Sequence, residues 1–213
     1  MSDTIHVTAA ELHARMTSAF VRSGLSPEAA RAAADSLAEA ECAGKKSHGL
    51  VRVEYVCDET EKKKPVAVSV YTEGPCFLGI DGGRHMAYHP GVIAVGKGAR
   101  IAKASGLCLA AVRNCGHSGM LGFFARRIAR EGLWGLAAAH CMPLLAPHGG
   151  GKAVLGTNPV ALGVPRRNRA PLVIDFSPAA TTFGAVSVAR AAGKDIPPGT
   201  ALDREGRPAT DPA

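Results

Sequence analysis

A chain of 213 residues with 46% hydrophobic side chains can bury a core as one domain, or as one domain with a smaller lobe, which excludes disordered and fibrous classes. The net charge of +7 is carried by scattered Lys and Arg, and with aromatics at 5% there are too few stacking platforms for a nucleic-acid binder. A solvated basic surface, or a positive field that draws small anionic substrates, accounts for the charge instead.

Near the N-terminus, Thr8 and Glu11 form a T-x-x-E capping box, and Leu12, Met16 and Phe20 follow at helical spacing. The pattern predicts a helix over about 9–23, stopped by Gly24. Ser26-Pro27 then starts a second, alanine-rich helix that lasts to about Ala43 and delivers the chain to Lys45, Lys46, Ser47 and His48. The N-terminal helical region is expected over 1–65. An α/β region is expected over 66–213.

"VAVSVYTEGPCFLGI" alternates and is broken by Gly74-Pro75, so 66–80 reads as a strand or hairpin closed by the Asp81-Gly82-Gly83 turn. Helix 92–105, strand 107–113, helix 120–131 and strand 133–140 follow, two helix-then-strand units that predict a layered α/β domain. Beyond loop signals at Pro143, Pro147 and Gly149 to Gly151 come an apolar stretch, 154–165, broken at Gly156, and a strand over 171–177. The last residues, "DIPPGTALDREGRPATDPA", are turn-rich and predict no element able to close a domain, so a missing C-terminal part is expected. The longest uncharged stretch, 133–151, holds two prolines and three consecutive glycines and cannot be a spanning helix, and the N-terminus has no apolar signal region. A cytoplasmic protein without membrane contact is expected. Six cysteines lie singly with no C-x-x-C pair, so they read as free thiols, with no metal site.

The G-x-G triplets at 96–98 and 149–151 do not continue into G-x-G-x-x-G, and Gly151-Lys152 is followed by alanine, so neither an ordinary Rossmann fingerprint nor a phosphate loop is present. Other residues carry the chemistry. His48 and Arg52 are spaced i to i+4 and share one face if the segment is helical. They are either a surface pair, or a proton donor beside a fork-shaped receptor for the carboxylate of a 2-oxo or 2-hydroxy acid. His117 stands between glycines in "NCGHSGMLG", directly after a strand, as a turn histidine or as one that a ligand can approach. "PHGGGKAVLGTNPVALGVP" offers backbone N–H groups and amide donors suited to phosphate or ribose hydroxyls. Asp175 ends an apolar strand, where a buried carboxylate needs a partner such as His or Arg.

In order and spacing, "SHGLVR", "AVRNCGHSGMLGFFARRIAREGLWGL", "MPLLAPHGG", "LGTNPVALGVP", "VIDFS" and "DREGRPATDP" resemble the malate/L-lactate dehydrogenase family that lacks a Rossmann domain and includes ureidoglycolate, L-sulfolactate and 2,3-diketogulonate oxidoreductases and piperideine-2-carboxylate reductase. The resemblance implies a homodimer with a non-Rossmann α/β nucleotide-binding fold and a mixed sheet. It also implies hydride transfer between NAD or NADP and a small 2-oxo or 2-hydroxy acid, or a cyclic imine. By the same resemblance His48 and His117 are catalytic, and Ser47, Arg52, Thr157 and Asn158 meet the substrate. His148, Gly149, Pro159, Asp175, Phe176 and Ser177 meet the cofactor. Ser118 stands where the family has an aromatic, Ala185 where it has a lysine, and the family's C-terminal cofactor motif has no counterpart. A degenerate member acting as a non-catalytic binding or assembly protein is therefore the alternative to a dehydrogenase.

Overall fold

The computed structural model describes residues 5 to 212. Helix α1 (Ala9–Arg22) starts at the reciprocal Thr8 and Glu11 cap, and α2 (Pro27–Cys42) starts at Ser26, whose hydroxyl accepts from the Ala29 N–H. Their small and apolar faces meet, burying Met16, Phe20, Ala30, Ala33, Ala34 and Leu37 in one cluster. Two short 3₁₀ turns, Lys46–His48 and Leu50–Arg52, lead into α3 (Val53–Lys63). This third helix was not expected. Its buried stripe is only Val56 and Thr60, flanked by Val53 and Cys57, so a helical spacing is present but a Thr and a Cys disguise it. The triple-lysine run closes this helix. Lys63 pairs with Glu59 one turn earlier, and Lys64 takes the left-handed cap conformation.

Strand β1 (Ser69–Glu73) turns back antiparallel onto β2 (Phe77–Asp81), and α4 (Tyr88–Ser105) returns the chain to β3 (Leu109–Arg113), parallel to β2. The expected mixed sheet is this one, with Leu78 and Ile80 of its central strand packed on Ala94. Helix α4 begins four residues earlier than its apolar pattern, because Pro90 falls in the first turn, where a missing N–H breaks no bond.

The second sheet is antiparallel, formed by β4 (Gly135–Ala138), β5 (Val160–Arg166) and β6 (Arg169–Phe176), with α5 (Gly122–Arg130) across its inner face. The approach is close enough that a side chain at Gly163 would run into the Ala125 carbonyl and one at Gly135 into Ile128. Only the second half of the apolar stretch 154–165 is strand. Residues before it form a loop in which Leu145 and Leu155 bridge. Opposite α5 the sheet shows solvent an apolar face of Leu136, Leu172, Ile174 and Phe176, each about half exposed or more. The last third differs most from expectation: α6 (Phe183–Ala191) and a hairpin of β7 (Ala201–Leu202) with β8 (Pro208–Ala209) occupy what reads as loop. No helix among the described residues is long and apolar enough to cross a membrane.

Candidate active site

The end of α2 sets the site's first wall. Gly49 packs against Glu41, where any side chain would collide with the carboxylate, and that carboxylate accepts from the Leu50 N–H at 3.0 Å. The chain therefore breaks at Gly49, and His48 and Arg52 sit on two successive 3₁₀ turns instead of one helical face. They still converge. Arg52 folds back so that its Nε donates to the Ser47 carbonyl at 2.9 Å, and its guanidinium lies 5.7 Å from the Tyr55 ring centre. The Ser47 hydroxyl bonds His48 Nδ1 at 3.0 Å.

The second wall is the loop after β3. Asn114 at positive φ turns the chain back, Gly116 N–H donates to His85 O at 2.8 Å, and the His117 carbonyl accepts from the Ala87 N–H at 3.1 Å. These bonds place His117 against His48, with the rings stacked at 5.9 Å and 23°. Tyr55 and Tyr88 meet His117 edge-on at 6.2 and 6.4 Å. Neither tyrosine was expected here, since no spacing in the sequence links residue 88 to residue 117.

Burial is the main electrostatic influence. It pushes the His117 imidazole down to about 3, helped by the Arg52 guanidinium and by His48, and it lowers His48 as well, again with help from Arg52. Asp175 opposes the shift at His48. Asp175 is exposed, not buried as its place on an apolar strand suggests, and its partner is neither His nor Arg: Oδ2 accepts the Gly122 N–H at 2.7 Å, at the start of α5. A carboxylate there also meets the positive end of the helix dipole.

The remaining candidates fall into two groups. At the ends of the second sheet, Asn158 Oδ1 accepts from Cys141 N–H at 2.9 Å, the Pro159 carbonyl accepts from Ala139 N–H at 3.2 Å, and the Ser177 hydroxyl donates to the Thr157 carbonyl at 2.8 Å. Phe176 beside them is 56% exposed. His148 and Gly149 lie apart, on an exposed turn closed by Gly150 N–H to Pro147 O, and the following Gly151 touches Gly206 of the β7–β8 hairpin. Gly184 joins the first group of walls instead. A Cβ there would lie 3.1 Å from Arg52 Nη2 and 3.3 Å from Ser47 Cβ, so the start of α6 rests on the arginine.

A guanidinium pinned through Nε can hold a carboxylate through its Nη groups, and the imidazole of His48 in the same motif can exchange a proton with the adjacent oxygen. The model of the malate/L-lactate dehydrogenases matches residues 7 to 213. The chain belongs to this family. Among relatives, malate dehydrogenase of Pyrococcus horikoshii is 34% identical over 86% of this chain and 51% of its own length. Δ1-Pyrroline-2-carboxylate reductase of Agrobacterium fabrum is 34% identical over 100% of this chain and 63% of its own. The crystal structure of Δ1-piperideine-2-carboxylate reductase from Pseudomonas syringae superposes with a TM-score of 0.90 at 29% identity, over 98% of this chain and 64% of that one. The chain thus spans about half to two thirds of these proteins. Relatives in the malate/L-lactate dehydrogenase family use either cofactor: a sulfolactate dehydrogenase of Chromohalobacter salexigens is NADP-dependent and a ureidoglycolate dehydrogenase of Escherichia coli is NAD-dependent.

Proposed function

We propose that this protein exchanges a hydride between NAD or NADP and a small 2-hydroxy or 2-oxo acid, as a homodimer. The observation that carries the reading is the Arg52 guanidinium, fixed by the Ser47 carbonyl and flanked by His48 and His117. Its two Nη nitrogens form a bidentate fork for the acid's carboxylate. His48, held by the Ser47 hydroxyl, is the proton carrier at the substrate oxygen. His117, neutral across the working pH range, is a hydrogen-bond partner that adds no second positive charge beside Arg52. The N-terminal helical region, 1–65, supplies the acid-binding wall, and the α/β region, 66–213, supplies His117 and Asp175.

The chemistry of the surroundings fits a nicotinamide cofactor. Phe183, 65% exposed and adjacent in the chain to the Gly184 that rests on Arg52, exposes aromatic surface on which the apolar ring can stack, whereas Phe176 belongs to the outer face of the second sheet. Pro159 and Ser177 would hold its polar parts, His148 and Gly149 its phosphates, and Thr157 and Asn158 beside them would meet the substrate. When bound, the nicotinamide supplies or accepts the hydride; the protein's own share is to orient the acid, move the proton and keep water out. The apolar outer face of the second sheet supports the homodimer, because patches of that kind mark interaction sites. The same face supports a second reading, a binding or assembly protein without turnover.

The test is oxidation of NADH and NADPH by the purified protein with oxaloacetate, pyruvate, glyoxylate and cyclic imine 2-carboxylates. Turnover with any of them supports a dehydrogenase. Absence of turnover with all of them, together with cofactor-independent self-association, supports the assembly reading.

A further inference from the structure

Two buried polar atoms at one junction have no hydrogen-bond partner among the described residues: the Tyr88 hydroxyl and His117 Nε2. Buried polar groups in native proteins are nearly always satisfied, and leaving one unmade carries a free-energy cost, so each exception calls for a reason. Tyr88 is 1% exposed, lies in the core cluster with Met86 and Val56, and reaches the site from beneath. Its ring meets that of His117 edge-on, 6.4 Å between centres and 86° between planes.

The two atoms are chemically complementary. Burial pushes the Tyr88 phenol up, so the hydroxyl keeps its proton and is a donor at every working pH. The neutral imidazole has one nitrogen that donates and one that accepts, and the partner of either decides which. A phenol oxygen lies on its own ring axis, so ring rotation leaves it in place. The histidine χ2 torsion is broad, so a modest turn of the imidazole changes where Nε2 points.

We propose that Tyr88 is a positioning residue for His117: its hydroxyl donates to Nε2 and thereby fixes the ring proton on Nδ1. The Nδ1–H then serves as a permanent donor on the side of the ring away from Tyr88. This separates the two histidines by role. His48, bonded to the Ser47 hydroxyl, moves the proton. His117, locked as a neutral tautomer, holds the substrate oxygen. The tautomer stands on the geometry of two side chains; the consequence for an acid substrate rests on the dehydrogenase reading above.

The test reads the tautomer directly. Long-range ¹H–¹⁵N spectra of histidine-labelled protein distinguish an Nδ1–H from an Nε2–H ring, and His117→Gln assigns the signal among eight histidines. Wild-type protein is expected to show His117 as Nδ1–H, and Tyr88→Phe, which keeps the ring and removes the donor, as Nε2–H or a mixture. An Nε2–H ring in the wild type overturns the proposal whether or not the variant folds. An unchanged Nδ1–H ring in folded Tyr88→Phe overturns it too, and would assign the hydroxyl to Ser36, whose side chain lies against the same Gly119 backbone. Oxalate, titrated into both proteins, is the separate arm: binding about tenfold weaker in Tyr88→Phe is expected for one lost neutral hydrogen bond. If wild-type protein binds no oxalate, the acid reading fails and the tautomer result still stands.

Discussion

His117 should make this protein lose stability on mild acidification, before its carboxylates titrate. An unfolded chain protonates histidine near 6.5, whereas in the fold burial, Arg52 and His48 hold His117 down to about 3. Between those values the unfolded state binds a proton that the folded state refuses, so stability rises with pH across the window. It is fully present above about 6.5 and is lost as pH falls toward about 3. The window spans about 3.5 pH units, which at about 1.36 kcal/mol per unit is a total near 5 kcal/mol. This is an upper bound, because a charged ring can turn toward water. The measurable share lies between about pH 7.5 and pH 4.5, where only the two units below 6.5 count, about 2.7 kcal/mol. Urea unfolding of wild type and His117→Gln at both pH values isolates it, since His48, His85 and His89, lowered by burial as well, titrate in both proteins. The variant should lose about 2 to 3 kcal/mol less on acidification than the wild type. Parallel losses in the two proteins would refute the claim that His117 is held neutral.

His48→Ala should lower kcat by about 10²- to 10⁴-fold, the usual contribution of a positioned general acid or base, with cofactor affinity nearly intact by fluorescence titration. Arg52→Lys keeps the charge but loses both the planar fork and the Nε bond to Ser47, so KM for the acid should rise more than kcat falls. Gly184→Ala places a methyl 3.1 Å from Arg52 Nη2, so the guanidinium must shift by a few tenths of an ångström; KM for the acid should rise severalfold while the unfolding midpoint in urea barely moves. Asp175→Asn removes the charge that holds the His48 pKa up against burial, so the inflection in kcat/KM that belongs to His48 should move to lower pH. An inflection that stays in place would detach Asp175 from His48.

Much of the fold can be read from the sequence wherever one pattern dominates. The Thr8 and Glu11 box, the Ser26-Pro27 start and the alternating strand around Gly74-Pro75 each specify an element by local chemistry, and each element is present. Helix α3 was illegible because its buried stripe is only Val56 and Thr60 with a Cys beside it, and α6 because it buries no residue of its own and so shows no strong apolar face. The site was legible as motifs but not as a shape. Residues 47, 48 and 52 announce themselves by spacing, yet the spacing suggests one helical face, and the break at Gly49 follows from Glu41, nine residues before Leu50. Tyr88 and Gly184 are silent, because what matters about them is the contact made by residues distant in the chain.

The second sheet takes part in a site whose first wall is helical through its close packing on α5. Helix α5 lies close on β5, because Gly163 leaves room for the Ala125 backbone, and on β4, because Gly135 leaves room for the Ile128 side chain. A sheet pressed that closely brings β6 along with it, through a register in which Ala161 pairs with Asp175 and Leu162 with Ile174. Asp175 then stands on the inner face, within reach of the first N–H of α5, while Leu172, Ile174 and Phe176 alternate to the outer face. Gly122, the donor, admits the carboxylate for the same reason: a Cβ there would lie 3.0 Å from Asp175 Oδ2. Three glycines in three elements and one strand register thus fix a single negative charge where it acts on His48. The Gly163 contact is with helix backbone, so a side chain there would displace the carboxylate by shifting a whole strand, with no site residue altered.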